Sequence, residues 1–126
     1  MHLERIRNSV LSALDRYAAV LSLIAVALIT AASLLPSQSA GGPGGMDKLL
    51  HLLAYAVAVM PISQLPHRKR IAFGIGVLVW SGVIEFVQPL VGRTASLLDF
   101  WANAVGILLG LFVGGLLVGV FFKKNA

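Results

Sequence analysis

The sequence predicts an all-α membrane protein, a bundle of four transmembrane helices with both termini cytoplasmic. Three observations carry this prediction. Asp, Glu, Lys and Arg make up only 12% of the 126 residues, about half the share usual in a soluble domain. Hydrophobic residues make up 58%, with a mean hydropathy of +0.90, and they fall into four long runs. Lys and Arg gather at alternate ends of those runs. The length suits one domain, residues 1–126, and a water-soluble chain of this size would need far more polar surface. Intrinsic disorder is excluded by the hydrophobicity, and a disulfide scaffold by the absence of cysteine.

The first run, residues 17–35, carries no charge over 19 residues, and a helical rise of about 1.5 Å per residue takes it across the hydrocarbon core. Arg5, Arg7 and Arg16 precede it and Ser39, Ala40 and Gly41 follow it, a pattern that resembles a signal peptide. The run is too long for an ordinary signal core, so it is read as a retained span. Residues 36–46 are rich in Gly, Ser and Pro and form a flexible connection. The second span, residues 49–65, includes His51, Tyr55, Pro61 and Gln64, and is expected to be short or kinked at the proline. Pro66 to Arg70 reads as a tight basic loop. The third span, residues 71–91, has Glu85 as its only formal charge, a short loop covers residues 92–98, and the fourth span occupies residues 100–122.

Orientation follows from the basic residues in the short loops. Arg5, Arg7, Arg16, Arg68, Lys69, Arg70, Lys123 and Lys124 fall on one side, against Lys48 and Arg93 on the other. The richer side is read as cytoplasmic. The net charge of +5 is then a topology signal, and no nucleic-acid partner is expected because the basic clusters are short and dispersed. His2 and His67 sit beside cytoplasmic basic residues and read as solvated.

The polar residues that remain collect at the opposite, outer end, and helical spacing aligns them. Asp47, His51 and Tyr55 recur at i, i+4 and i+8. Ser81, Glu85 and Gln88 recur at i, i+4 and i+7, and Asp99, Asn103, Gly106 and Gly110 at i, i+4, i+7 and i+11. Glu85 lies about 9 Å below the outer boundary at helical rise. An ionisable group at the centre of a span costs about 2.5 to 3.5 kcal/mol, so the three stripes are expected to face one another and pair. Glu85 and Asp99 should then lie near Arg93, Lys48 or His51. Gly106, Gly110 and Gly114, with Gly115 and Gly119, permit close helix approach, more readily within one molecule than between two. Trp101 reads as an interfacial anchor and Trp80 as ordinary packing.

These residues form an ordered set: Asp47-Lys48-x-x-His51-x-x-x-Tyr55, then Glu85-x-x-Gln88, then Arg93-x-x-Ser96-x-x-Asp99-x-x-x-Asn103-x-x-Gly106. Over residues 47–110 the chain resembles the VanZ-like family of small bacterial integral membrane proteins. The family takes its name from a protein linked to resistance to the glycopeptide teicoplanin. The resemblance implies a multi-pass protein of the bacterial cytoplasmic (inner) membrane that acts in the cell envelope, and it supplies no reaction.

Two readings of the polar set compete. In one it is an ion-pair network that fixes helix order, and the chain is a non-catalytic accessory or scaffold subunit with a membrane protein partner. In the other it is an outward-facing pocket that binds or modifies a lipid-linked or peptidoglycan-related ligand among the membrane lipids. There His51, Glu85 and Asp99 are the candidate catalytic, proton-transferring groups. Asp47, Lys48, Tyr55, Gln88, Arg93, Ser96 and Asn103 are the candidate ligand contacts. No cofactor is indicated. A metal held by His51, Asp47, Glu85 and Asp99 ranks lower, because no HExxH or cysteine spacing supports it. A small proton-coupled exporter is a third class, and the eight-to-two division of basic residues argues against its dual-topology form.

Overall fold

The computed structural model of the protein describes residues 1–36 and 46–122, over which the chain is helical and has no strand. The helices are α1 (His2–Leu34), α2 (Met46–Val59), α3 (His67–Val87) and α4 (Leu97–Phe122). Counting the short 3-10 turns that extend α2 and α3, all four are long and apolar enough to cross a membrane. The all-helical, four-span fold class therefore holds. The Gly-Ser-Pro connection lies, apart from Pro36 and Met46, outside the described residues, as do Lys123 and Lys124.

Helix boundaries differ from the apolar runs in physically informative ways. α1 begins at His2 and is 33 residues long, because residues 2–16 contain neither Pro nor Gly to stop helix propagation back from the span. At about 50 Å it exceeds the membrane core. The basic stretch expected as a loop is instead the first turn of α3. Pro66 occupies the N-cap and its carbonyl accepts the Arg70 N–H at 2.9 Å. α4 starts at Leu97, with Asp99 in its first turn, where the helix dipole favours an anion. Pro61 and Pro89 each convert the end of a helix into a 3-10 turn, Pro61–Gln64 and Gln88–Val91. The second span, expected to be short or kinked at the proline, thus leaves α-helical geometry there. Gly92, at φ 79°, supplies the left-handed residue that turns the chain toward α4.

The distribution of side chains is inverted relative to a soluble domain. Leu28, Val79, Phe86, Leu108 and Phe112 are exposed, whereas Ser22, Ser33, Ser63, Ser81, Glu85, Gln88, Asp99 and Asn103 are buried. A modest apolar core around Tyr55, Val59, Ile62, Val77 and Ile107 separates them. Lipid solvates the apolar exterior, so polar groups gain only by turning inward. Trp80, expected to pack passively, donates Nε1–H to Thr30 Oγ1 at 2.9 Å, and that hydroxyl donates to Val26 O at 2.8 Å. One indole therefore ties α3 to α1.

α2 and α4 approach most closely, and glycine permits it. A Cβ at Gly106 would meet the Leu52 carbonyl. At Gly110 it would meet the Ala56 carbonyl and, at 2.7 Å, Val59 Cγ2. At Gly114 it would meet Ser63 Oγ, with Met60 O at 3.0 Å. Among the described residues, a Cβ at Gly115 or Gly119 would meet nothing within 4 Å. The close-packing stripe thus serves contacts within the molecule. Gly106→Ala or Gly110→Ala should destabilise the bundle by about 1 to 3 kcal/mol through overpacking. Gly115→Ala should stay within about 0.5 kcal/mol. Unfolding of the detergent-solubilised protein checks both, and equal losses at all three positions would contradict the packing described.

Candidate functional site

The polar stripe of α2 runs from the helix start into the bundle. Asp47 is mostly exposed, the His51 side chain retains 13% of its accessible surface, and Tyr55 is fully buried. The stripe of α4 faces it because Asp99 and Asn103 lie on the same side as Gly106 and Gly110. The close approach that the glycines allow brings His51 Nδ1 to 3.1 Å from Asn103 Oδ1. An amide oxygen can only accept, so Nδ1 carries the proton in this pair. The other ring nitrogen, Nε2, faces Asp47 Oδ1 at 3.9 Å, and Lys48 Nζ lies 3.8 Å from Asp99 Oδ1. One ligand atom each from Asp47, His51 and Asp99 lies within 4.8 Å of the others.

Glu85 joins from α3. Its Oε2 accepts the backbone N–H of Ser96 at 3.2 Å, which ties the α3–α4 connection to the carboxylate. Glu85 is within electrostatic range of Asp99, His51 and Asp47, and Tyr55 is within range of Glu85. The sequence places Ser96 correctly near the cluster, although its backbone rather than its hydroxyl makes this contact.

Two expected members are engaged with α1 instead. Gln88 Nε2 donates to Ser33 O at 3.3 Å, and Arg93 Nη1 donates to Ala32 O at 3.2 Å and Leu35 O at 3.3 Å. The last turn of α1 has no basic residue of its own, so a guanidinium from another loop satisfies its orphan carbonyls. The expected pairing of Glu85 with Arg93 or Lys48 is accordingly replaced. Among the described residues Lys48 is the basic partner of Asp99, and Glu85 relies on a backbone donor.

The sequence reading missed a lipid-facing groove of about 570 Å³ between α3 and the start of α4. Val79, Gly82, Val83, Phe86, Leu97 and Phe100 line it, with Glu85 and Ser96 as its polar lining residues. Gly82 leaves Phe100 room, since a Cβ there would lie 3.4 Å from the ring. That pairing of a glycine on one span with an aromatic on the next was the available signal, and it is visible only once the helix faces are known. Comparison of the chain with protein-family models, curated proteins and solved structures finds no match.

The geometry divides the charged residues into a coupled and an uncoupled pair. A double-mutant cycle on Lys48→Met and Asp99→Asn should give a coupling below about 1 kcal/mol but above zero, since Lys48 is partly exposed and screened. The cycle on Arg93→Gln and Glu85→Gln should be additive. Unfolding in a fixed detergent measures both, and coupling confined to the second cycle would contradict the arrangement.

Proposed function

We propose that the chain is an envelope protein of the bacterial cytoplasmic membrane, similar to the VanZ-like family. In this reading it binds or modifies a lipid-linked or peptidoglycan-related ligand at its outer end. The observation that carries the reading is the groove: an apolar surface whose lining includes Glu85 and Ser96, with Glu85 within electrostatic range of Asp99 and His51 and Lys48 beside Asp99. An amphiphile needs these two surfaces side by side, one apolar for a chain and one charged for a head group. Lys48, at 42% side-chain exposure, is the cation available to an anionic head group, whereas Arg93 and Gln88, expected as ligand contacts, are committed to the α1 carbonyls. His51, Glu85 and Asp99 are the groups able to take up or release protons there, and Asp47, Tyr55, Ser96 and Asn103 shape the site. The resemblance adds a contribution to glycopeptide resistance to this reading and supplies no reaction.

The outward orientation rests on the division of basic residues between the two ends. Thr94 and His67 are both exposed and lie at opposite ends of α3, and the chain has no cysteine. Thr94→Cys should react with an impermeant maleimide in intact cells, and His67→Cys only after the membrane is opened. The reverse pattern would move the pocket to the cytoplasm and end the envelope reading.

The proposal itself is tested by changes that keep shape and alter charge. His51→Gln, Glu85→Gln and Asp99→Asn should each insert at near-normal levels. At least two of them should abolish the envelope phenotype conferred by the intact protein, read as glycopeptide susceptibility and precursor composition. Ala58→Val, at a buried position of α2, controls for mild packing damage. Full phenotype in all three polar variants would replace the pocket with an accessory role. Failure of all three to accumulate would assign the residues to the scaffold.

A further inference from the structure

We infer that Asp47, His51 and Asp99 form a binding site for a divalent transition cation of the zinc type, with Asn103 as the residue that orients the imidazole. The argument begins with the histidine. His51 Nδ1 donates to Asn103 Oδ1 at 3.1 Å, and on the other edge of the ring Nε2 lies 3.9 Å from Asp47 Oδ1. At that separation the nitrogen and the carboxylate oxygen do not bond directly, and a positive centre between them would engage both. An N–H held by an amide oxygen is also the usual support for a metal-bound histidine, because it fixes the tautomer and the ring plane.

A second, independent observation points to the same place. Asp99 is 6% exposed, and its Oδ1 has no hydrogen-bond partner among the described residues. The Lys48 ammonium at 3.8 Å is too distant to donate to it. A buried carboxylate oxygen left in this condition is costly. The oxygen belongs to the residue that completes the cluster with Asp47 and His51.

The dimensions fit a cation after a small closure. Bonds of about 2.0 to 2.1 Å in a tetrahedron set ligand atoms about 3.3 Å apart, against a maximum of 4.8 Å here. Asp47 can supply the movement, since its side chain is 63% exposed and sits in the first turn of α2. Lys48 is free to swing outward as the cation takes over its charge. One imidazole nitrogen with carboxylate oxygens suits zinc or manganese better than magnesium, which favours an all-oxygen octahedron. Three protein ligands would leave a fourth position for a water or a substrate oxygen.

The inference needs no lipid ligand and can be tested without one. The protein is purified in detergent without a histidine tag, stripped with chelator, and carries His2→Gln and His67→Gln, so that His51 is the one imidazole left of three. Competition with a chromophoric chelator should then show one saturable Zn²⁺ per chain, with Mn²⁺ weaker and Mg²⁺ weakest. Asn103→Leu should weaken Zn²⁺ binding about tenfold or more, His51→Gln and Asp99→Asn should remove saturable binding, and Lys48→Met should preserve or tighten it. X-ray absorption of the Zn²⁺-loaded, otherwise intact cluster supplies a readout that does not depend on variants folding, and it should show one nitrogen ligand among oxygens. Non-saturable uptake, binding indifferent to His51→Gln, or an all-oxygen shell would overturn the inference whatever the fate of the lipid-ligand reading.

Discussion

Lipid offers no hydrogen bonds, and that constraint organises this molecule. A polar group that faces hydrocarbon has nothing to bond, so each must find a partner inside the protein. The buried serines, carboxylates and amides are accordingly interior, while leucine, valine and phenylalanine form the exterior. The same constraint explains how the interrupted helices close. Pro61 ends the regular hydrogen bonding of α2, and the carbonyl of Ser63 in the following turn receives Arg70 Nη1 at 3.2 Å. The bare end of α1 receives Arg93 and its Ser33 carbonyl receives Gln88. These residues are part of the way a short bundle seals its own backbone.

Packing and chemistry are coupled through one face of α4. Asp99, Asn103, Gly106 and Gly110 share a stripe, so the glycines that admit the α2 backbone also set the distance at which Asn103 meets His51. A larger side chain at Gly106 would push Leu52 away, and with it His51 one residue earlier. The site is therefore built on two rigid helices rather than on loops, and the loop contribution is confined to the Ser96 amide that holds Glu85. Such a framework favours fixed donor and acceptor positions over induced fit.

Hydrophobic runs made the four spans legible, because hydrocarbon thickness fixes how many apolar residues a helix must carry. The same signal could not locate the start of α1 or α3. Helix continues through Arg5 and Arg68 as easily as through leucine, since it depends on backbone hydrogen bonds and the absence of breakers. Helical spacing placed Asp47, His51, Asp99 and Asn103 on facing stripes, and the structure brings them together. It could not predict that Arg93 would prefer the α1 carbonyls to Glu85. That choice depends on which helix end passes beside the loop after Gly92, a matter of three-dimensional packing. The groove at Phe86 and Phe100 was invisible for the same reason, as it belongs to two helices and to neither alone.

The pattern of satisfied and unsatisfied polar atoms also bears on whether the cluster is scaffold or site. A network retained only to order helices gains most when every member is bonded, because an orphan in low dielectric loses more than a bond contributes. Among the described residues Ser22 Oγ, Gln88 Oε1 and Asp99 Oδ1 are buried without a hydrogen-bond partner, although Lys48 Nζ lies 3.8 Å from the last. Of these, Gln88 and Asp99 lie at the end of the bundle where α2 and α4 begin, where Glu85 is served by a single backbone donor. At the other end Arg70 bonds both Ser63 O and His67 Nδ1, and Ser63 Oγ lies within hydrogen-bond distance of Gly110 O and Leu111 O. Stability alone gives no reason for one end to be complete and the other to hold an open carboxylate oxygen. A bound group able to donate to Asp99 Oδ1, or to neutralise it more closely than Lys48 does at 3.8 Å, would complete that end.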